Sequence, residues 1–234
     1  MNNTAPFQLP LGVSLRDDAR FENFLTGANG LACAMLQQAA QGQGELLLYL
    51  WGAPGVGCTH LLQAACHSAE PVRRSAVYLP LEELIHLGPG ILEGMEHLDL
   101  VCIDSVQLIA GNRLWEEGLF HFFNRIRAQN NRLVVAADRA PRQLGLNLPD
   151  LLSRLSWGMV FQLHPLPDED KERALQLRAQ ARGFQLSTEV VRYLTHHASR
   201  DMGDLFELLE RLDRASLSAK RKITIPFVKQ EMGW

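Results

Sequence analysis

Residues Leu46–Leu62 have the sequence LLLYLWGAPGVGCTHLL. An apolar run turns abruptly into the glycine-rich segment Gly52–Gly57, and apolar residues at helical spacing follow. A buried strand, a glycine loop and a helix in that order are typical of a phosphate-binding loop, because glycines let successive backbone N–H groups turn toward one anion. The start of the following helix also favours negative charge. The sequence therefore predicts a nucleotide site at this loop.

The loop departs at one position from the usual pattern, G-x-x-x-x-G-K-S/T. Cys58 stands where the pattern has lysine, whereas Thr59 stands where a hydroxyl binds Mg²⁺. A hydrogen bond to a charged group is worth about 1.5–3 kcal/mol, so losing the lysine should weaken triphosphate binding roughly ten- to a hundredfold. The loop amides would still hold a diphosphate. A bound phosphate would also oppose thiolate formation at Cys58, which argues against a redox role.

Composition narrows the class of protein. The chain has 234 residues, 47% of them hydrophobic, and a net charge of −3. That length suits a large domain with a small one, and the lack of a basic surplus argues against direct sequence-specific DNA binding. The four cysteines have no C-x-x-C spacing, so we expect reduced thiols in a cytoplasmic protein. The start has no signal-peptide pattern, and no apolar run approaches the ~20 residues of a membrane span.

Apolar segments that alternate with helical ones predict a parallel sheet covered on both faces, since their apolar content is continuous. The five predicted strands are Leu46–Trp51, Ser75–Leu79, Leu98–Asp104, Leu133–Ala137 and Met159–Leu163. Ligands of such sheets bind at the carboxyl ends of the strands. The glycine loop, Asp104 and Asp138 all follow strand ends, so we expect them to form one nucleotide site.

Asp104 follows four apolar residues, which is how a strand delivers the acid that orders Mg²⁺ in phosphate-loop proteins. A strand-end aspartate that starts a turn is the alternative. The next residue, Ser105, cannot act as the base that polarises an attacking water. The site is therefore expected to hold a nucleotide rather than to consume it.

Two helices carry further charged candidates. Arg154, on a predicted short helix from Asp150 to Leu155, is either a surface arginine or an arginine finger that reaches the nucleotide of a neighbouring subunit. The aromatic helix Leu114–Arg127 has one broad apolar face, and we expect Glu116 and Glu117 to lie on its solvated edge.

The two ends of the chain differ from its middle. Residues 166–234 are purely helical in pattern and should form a small lid domain over the sheet. Residues 1–20 are expected to form an extended arm, in which Phe7–Leu11 make a short apolar patch that carries one glutamine, Gln8. Such a patch either packs back onto the domain or docks on a partner as a linear motif.

Several of these motifs together resemble the DnaA family of AAA+ proteins, the bacterial replication initiators. Gly52–Leu62 is similar to the family's phosphate loop with its Thr-His-Leu ending, and Phe21–Asn29 to its N-terminal turn. Leu119–Asn124 resembles the helix after the aspartate strand, Asp138–Pro141 the first sensor, and Ser153–Gly158 the arginine-finger box. The resemblance implies an AAA+ α/β domain with a five-stranded parallel sheet over residues 21–165, followed by an all-α lid over residues 166–234.

The resemblance also implies a set of site residues. The nucleotide contacts expected from it are Phe24, Leu25, Gly52, Pro54, Gly55, Val56, Gly57, Cys58, Thr59, His60 and Asp138. Thr59 and Asp104 would hold Mg²⁺, and Arg154 would be an arginine finger acting in trans. ADP is the expected ligand, with the base left open because Phe24 and Leu25 offer only an apolar face. Gly203 stands where the family's second sensor has arginine, so we expect the lid to grip the nucleotide weakly.

The arm narrows the expected function within the family. Gln8, Leu9 and Leu11 resemble a peptide that binds the sliding clamp, the β subunit of the DNA polymerase, as in the family's regulatory inactivators. This resemblance implies a negative regulator of replication initiation that docks on the clamp and stimulates hydrolysis of ATP bound to DnaA. A homodimer is left open. The alternative is an autonomous AAA+ ATPase that loads or remodels a replication protein, against which Cys58 and Ser105 argue.

Overall fold

A computed structural model describes residues 14–198 and 201–234, so the predicted clamp-binding residues Gln8, Leu9 and Leu11 lie outside the described residues. The strands β1 (Leu47–Trp51), β2 (Ala76–Pro80), β3 (Leu100–Asp104), β4 (Arg132–Ala137) and β5 (Met159–Gln162) form one sheet. Their order is β2-β3-β4-β1-β5, and every neighbouring pair is parallel. The predicted five-stranded parallel sheet is confirmed, with strand bounds within two residues of those expected.

Helices cover both faces of this sheet, which explains why its strands are apolar without interruption. The first five helices are α1 (Gly30–Ala40), α2 (Cys58–Ala69), α3 (Leu81–Leu84), α4 (Arg113–Ala128) and α5 (Pro149–Leu155). Successive strand residues point to opposite faces. Tyr49 packs with α4 and α5 in one buried cluster, whereas its neighbours Leu48 and Leu50 pack with α1 and α2 in the other.

Four more helices form the lid: α6 (Asp168–Ala181), α7 (Thr188–His197), α8 (Met202–Ala219) and α9 (Ile225–Met232). They have a buried cluster of their own, to which α8 contributes Leu205, Leu208, Leu209 and Leu212. Ser187 caps the start of α7, because its hydroxyl accepts a hydrogen bond from the Val190 backbone N–H at 3.3 Å. An α/β domain followed by a small helical lid is thus confirmed.

One prediction about α4 is wrong. Glu116, expected on a solvated edge, is only 1% exposed. Its carboxylate accepts hydrogen bonds from the backbone N–H groups of Gly111, Asn147 and Leu148 at 2.8, 3.1 and 2.7 Å. Leu148 immediately precedes α5, so this buried carboxylate fixes the place where α5 begins. Glu117 lies on the outer side as expected.

Candidate nucleotide site

The glycine loop joins the end of β1 to the first residue of α2. Gly55 and Gly57 have φ angles of 79° and 103°, in the left-handed region that glycine adopts without steric cost. Space also requires glycine here, because a Cβ on Gly57 would lie 2.6 Å from the Phe24 ring and one on Gly55 would overlap the Asp201 carboxylate. The lid and the N-terminal turn therefore both approach the loop closely.

Thr59 and Asp104 meet on one side of the loop. The Thr59 hydroxyl donates to Asp104 Oδ2 at 2.7 Å, the Tyr78 hydroxyl donates to the same oxygen at 2.9 Å, and the Ser105 backbone N–H donates to Oδ1 at 2.8 Å. Burial, reinforced by the Asp104 charge, raises the pKa of Tyr78 far above its usual value, so Tyr78 remains a donor. A hydroxyl beside a buried carboxylate is an oxygen donor set that fits Mg²⁺.

These two residues would supply the protein ligands of such an ion. No group of three or more His, Cys, Asp or Glu side chains within residues 14–198 and 201–234 could hold a metal. A Mg²⁺ ion bound by Thr59 and Asp104 would therefore take its remaining ligands from phosphate and water. Its charge would offset that of the phosphates.

Cys58 does not replace the missing lysine. It is the first residue of α2 and is half-buried. Burial, followed by the nearby Asp104 charge, raises the pKa of its thiol to about 12, so the thiol is protonated at neutral pH. The side chain thus offers no positive charge to a phosphate, and a protonated thiol is a poor nucleophile.

Asp138 enters the same cleft from the end of β4. Its backbone N–H donates to Gln107 Oε1 at 3.3 Å. Both carboxylate oxygens accept from the Arg139 guanidinium at 2.7 Å, and this hydrogen bonding lowers the pKa of Asp138. The bidentate pair fixes the carboxylate at the rim of the cleft.

Phe24 and Leu25 line a narrower pocket of about 110 Å³ on the other side of the loop. The Phe24 ring lies 5.4 Å from the His60 ring. Burial lowers the pKa of His60 from 6.5 to about 4, so the imidazole is neutral at pH 7 and its Nε2–H donates to the Arg20 carbonyl at 2.9 Å. Asn29 closes the pocket by exchanging two hydrogen bonds with the His164 backbone, at 2.9 and 2.8 Å.

The structure brings the expected nucleotide and Mg²⁺ residues together. The phosphate cleft, which we define as the cavity of about 380 Å³ over the glycine loop, is lined by Gly52, Pro54, Gly55, Val56, Gly57, Cys58, Thr59, His60, Asp104 and Asp138. Phe24 and Leu25 line the pocket beside it. Gly203 lines the phosphate cleft from the lid.

The same cleft contains residues that the sequence analysis did not predict as part of the site. They are Arg16, Glu82, Gln107 and Phe206, with Tyr78 behind Asp104. Glu82 accepts a hydrogen bond from the Ser105 hydroxyl at 3.0 Å. Glu82 directly follows Leu81, where β2 runs into α3, so its nearness to a strand end was the available signal.

Arg154 lies elsewhere. It is not among the residues that line the phosphate cleft or the pocket beside it. The half-buried side chain on α5 places its guanidinium carbon 5.8 Å from the centre of the Phe123 ring. The neighbouring Trp157 is 52% exposed, and the Arg127 guanidinium covers its ring at 4.7 Å. Arg154 therefore belongs to an outward aromatic and basic surface of the α/β domain.

Comparison with known proteins agrees with this architecture. The family model described as "Hda, lid domain" matches residues 168–232, and the one described as "Bacterial DnaA ATPase domain" matches residues 90–162. Within the described residues, no helix has both the length and the apolar character needed to cross a membrane.

Solved structures with the same fold include DnaA proteins. Domain III of the replication initiation protein DnaA from Thermotoga maritima is 22% identical, with a TM-score of 0.82 over 94% of this chain and 98% of that one. AMPPCP-bound DnaA from Aquifex aeolicus is 23% identical, with a TM-score of 0.71 over 86% and 67%. The RuvB Holliday junction branch migration motor of T. maritima is 15% identical, with a TM-score of 0.63 over 88% and 67%. From the family matches over residues 90–162 and 168–232, this chain is a DnaA-related AAA+ protein of the Hda type.

Proposed function

We propose that this protein is a negative regulator of bacterial replication initiation: it keeps a nucleoside diphosphate, expected to be ADP, and uses Arg154 to stimulate hydrolysis of ATP bound to DnaA. The observation that carries the proposal is that the chain's own cleft lacks the usual lysine while an arginine is available elsewhere on its surface. The chain's own phosphate cleft has a protonated thiol where a lysine is usual, whereas an arginine suited to a partner's site lies outside that cleft. A related DnaA binds AMPPCP, which supports nucleotide binding by this fold.

The cleft supports retention of a nucleotide rather than its turnover. The loop amides, Thr59 and Asp104 can hold a diphosphate with Mg²⁺. Ser105 follows Asp104 where an acid would polarise the attacking water, and its hydroxyl donates to Glu82 instead. A site of this kind uses its nucleotide as a structural ligand.

The position of Arg154 supports its action on a partner. Glu116 pins the start of α5 through Leu148, so the helix that carries Arg154 has a defined position. Exposed Trp157 and Arg127 lie beside it, and aromatic and arginine side chains are enriched at the energetic centres of protein interfaces. An arginine finger supplied by a partner raises the rate of hydrolysis by about 10³–10⁵.

The test is Arg154→Ala in an assay of ATP hydrolysis by DnaA with clamp-loaded DNA. We expect the variant to fold and bind ADP but to lose stimulation, and Arg154→Lys to recover little because lysine lacks the planar fork of donors. Arg113→Ala is the matched control, since it removes an exposed arginine at the start of α4. Normal stimulation by Arg154→Ala would show that the assignment of the finger is wrong.

We further propose that Gln8, Leu9 and Leu11 dock the protein on the sliding clamp in the cytoplasm. Changing Gln8 and Leu9 to alanine should abolish recovery of the protein on immobilised clamp while leaving ADP binding intact. Unchanged recovery would mean that the apolar patch packs on the domain.

The identity of the bound nucleotide is tested separately. Native mass spectrometry of the purified protein should show one nucleoside diphosphate per chain, and the same measurement reads its base. A triphosphate or an empty site would contradict this part of the proposal.

One observation favours the alternative, an autonomous AAA+ ATPase that loads or remodels a replication protein. Glu82 places a carboxylate beside Ser105 at the phosphate cleft, where it could serve as a base. Under this alternative the purified protein would hydrolyse ATP continuously, and Glu82→Gln would abolish that turnover while Arg154→Ala would not.

A further inference from the structure

The phosphate cleft contains many negative groups and few positive ones. Its lining includes the carboxylates of Glu82, Asp104 and Asp138. Within the described part of the chain, Arg16 is the one lysine or arginine in that lining. Cys58 has no charge and Gly203 has no side chain, so neither the loop nor this lid residue supplies a cation. A bound diphosphate would need one, since Mg²⁺ alone would face these carboxylates as well.

The backbone of Arg16 is fixed against the helix that begins at the glycine loop. Its N–H donates to Gln63 Oε1 at 2.9 Å, and its carbonyl accepts from His67 Nε2 at 3.0 Å. Gln63 is buried and lies four residues after Thr59, which places both on one face of α2. Arg16 and Thr59 also line a second cavity together with Asp104. The main chain therefore presents Arg16 on the Thr59 side of the loop, where the terminal phosphate of a nucleotide would lie.

The guanidinium itself is held loosely. Its side chain is 50% exposed and forms two long ion pairs, to Asp18 at 3.5 Å and to Glu210 at 3.8 Å. Pairs of this length between partly exposed groups are weak. Asp18 has a better partner in the buried Arg178, and Glu210 has one in Arg182 at 3.0 Å. If Arg16 moved away, Asp18 would keep Arg178 at its Oδ2 atom, and Glu210 would keep Arg182.

We propose that Arg16 binds the terminal phosphate of a nucleoside diphosphate and supplies the cation that Cys58 does not. A guanidinium suits this task because its planar fork donates two parallel hydrogen bonds to phosphate oxygens. The inference rests on the proposed nucleotide binding and names the arm residue on which phosphate affinity depends.

The experiment measures binding of ADP, AMP and adenosine to the full chain by calorimetry. Arg16→Ala should lower ADP affinity about ten- to a hundredfold, lower AMP affinity less, and leave adenosine binding unchanged. Arg20→Ala is the matched control: it removes a charge from the same arm, but Arg20 does not line the phosphate cleft. Its affinities should equal those of the unaltered protein.

A double-mutant cycle sharpens the test. In a Cys58→Lys background the lysine would take over the phosphate charge, so the loss of ADP affinity caused by Arg16→Ala should shrink clearly. An equal loss for ADP and adenosine would overturn the proposal in favour of a structural role for the arm, and unchanged ADP affinity would overturn it outright. If the unaltered protein bound no ADP, both the proposed function and this inference would be contradicted. If it bound ADP with an affinity that Arg16→Ala did not change, this inference alone would be contradicted.

Discussion

Replacing the buried carboxylate Glu116 with glutamine should separate the positioning of Arg154 from nucleotide binding. Oε1 of Glu116 accepts from the N–H groups of Gly111 and Asn147, and Oε2 accepts from that of Leu148. The amide oxygen of glutamine can replace one of these acceptors, but its NH₂ group would then face a backbone donor. At least one buried N–H therefore loses its partner.

The magnitude follows from these bonds. A hydrogen bond to a charged group contributes about 1.5–3 kcal/mol, and a buried donor left without a partner costs about 1–3 kcal/mol. We expect Glu116→Gln to lower the free energy of unfolding by about 2–5 kcal/mol, on the order of 10 °C in Tm for a chain of this size. Because Leu148 precedes α5, stimulation of DnaA by Arg154 should fall as well, whereas ADP affinity should not change.

Urea unfolding and amide hydrogen exchange at Leu148 measure the two structural effects. Glu117→Gln is the control, because that half-exposed glutamate pairs with Arg113 at the helix surface and should change stability by about 0.5 kcal/mol or less. A Glu116→Gln protein as stable as this control, with Leu148 equally protected, would show that the Glu116 carboxylate does not hold the start of α5.

Three further changes test the nucleotide site. Because the folded chain lowers the pKa of His60 from 6.5 to about 4, the unfolded chain binds more protons between those values, and His60 should reduce stability as pH falls through this window. Between pH ~7 and ~5 the free energy of unfolding should fall less for His60→Gln than for the unaltered protein. An equal fall in the two proteins would contradict the lowered pKa of His60. Thr59→Val removes the hydroxyl beside Asp104, so Mg²⁺ should no longer strengthen ADP binding in titrations with and without the ion, and a persistent Mg²⁺ effect would exclude that role. Phe24→Ala should weaken AMP and ADP binding by the same factor, about tenfold, and a loss confined to ADP would place Phe24 at the phosphates instead.

The sheet and its ligand edge could be predicted from the sequence because one physical requirement fixes both. A parallel sheet covered by helices needs unbroken apolar strands, and these end sharply at Gly52, Asp104 and Asp138. The carboxyl ends of parallel strands then share one edge, which brings the three positions into one cleft without any knowledge of strand order.

Other parts depend on contacts that periodicity does not encode. The helical pattern of α4 distinguishes an apolar face from a polar one. Two of the three partners of Glu116, however, are backbone groups 31 and 32 positions later, in a loop whose path the pattern does not give. Tyr78 reaches Asp104 because β2 lies beside β3, an order that the sequence leaves open. Arg16 is 47 positions from Gln63 and 51 from His67, and its hydrogen bonds to these two side chains place the arm against α2.

Phosphate release from ATP by the purified chain, measured with Mg²⁺ in the absence and presence of DnaA, shows whether the protein hydrolyses ATP itself or stimulates hydrolysis on DnaA. We expect no sustained release by the chain alone and rapid release when ATP-loaded DnaA and the clamp are added, with the added rate lost in Arg154→Ala. Sustained release by the chain alone, at a rate that Arg154→Ala leaves unchanged, would contradict the proposed function.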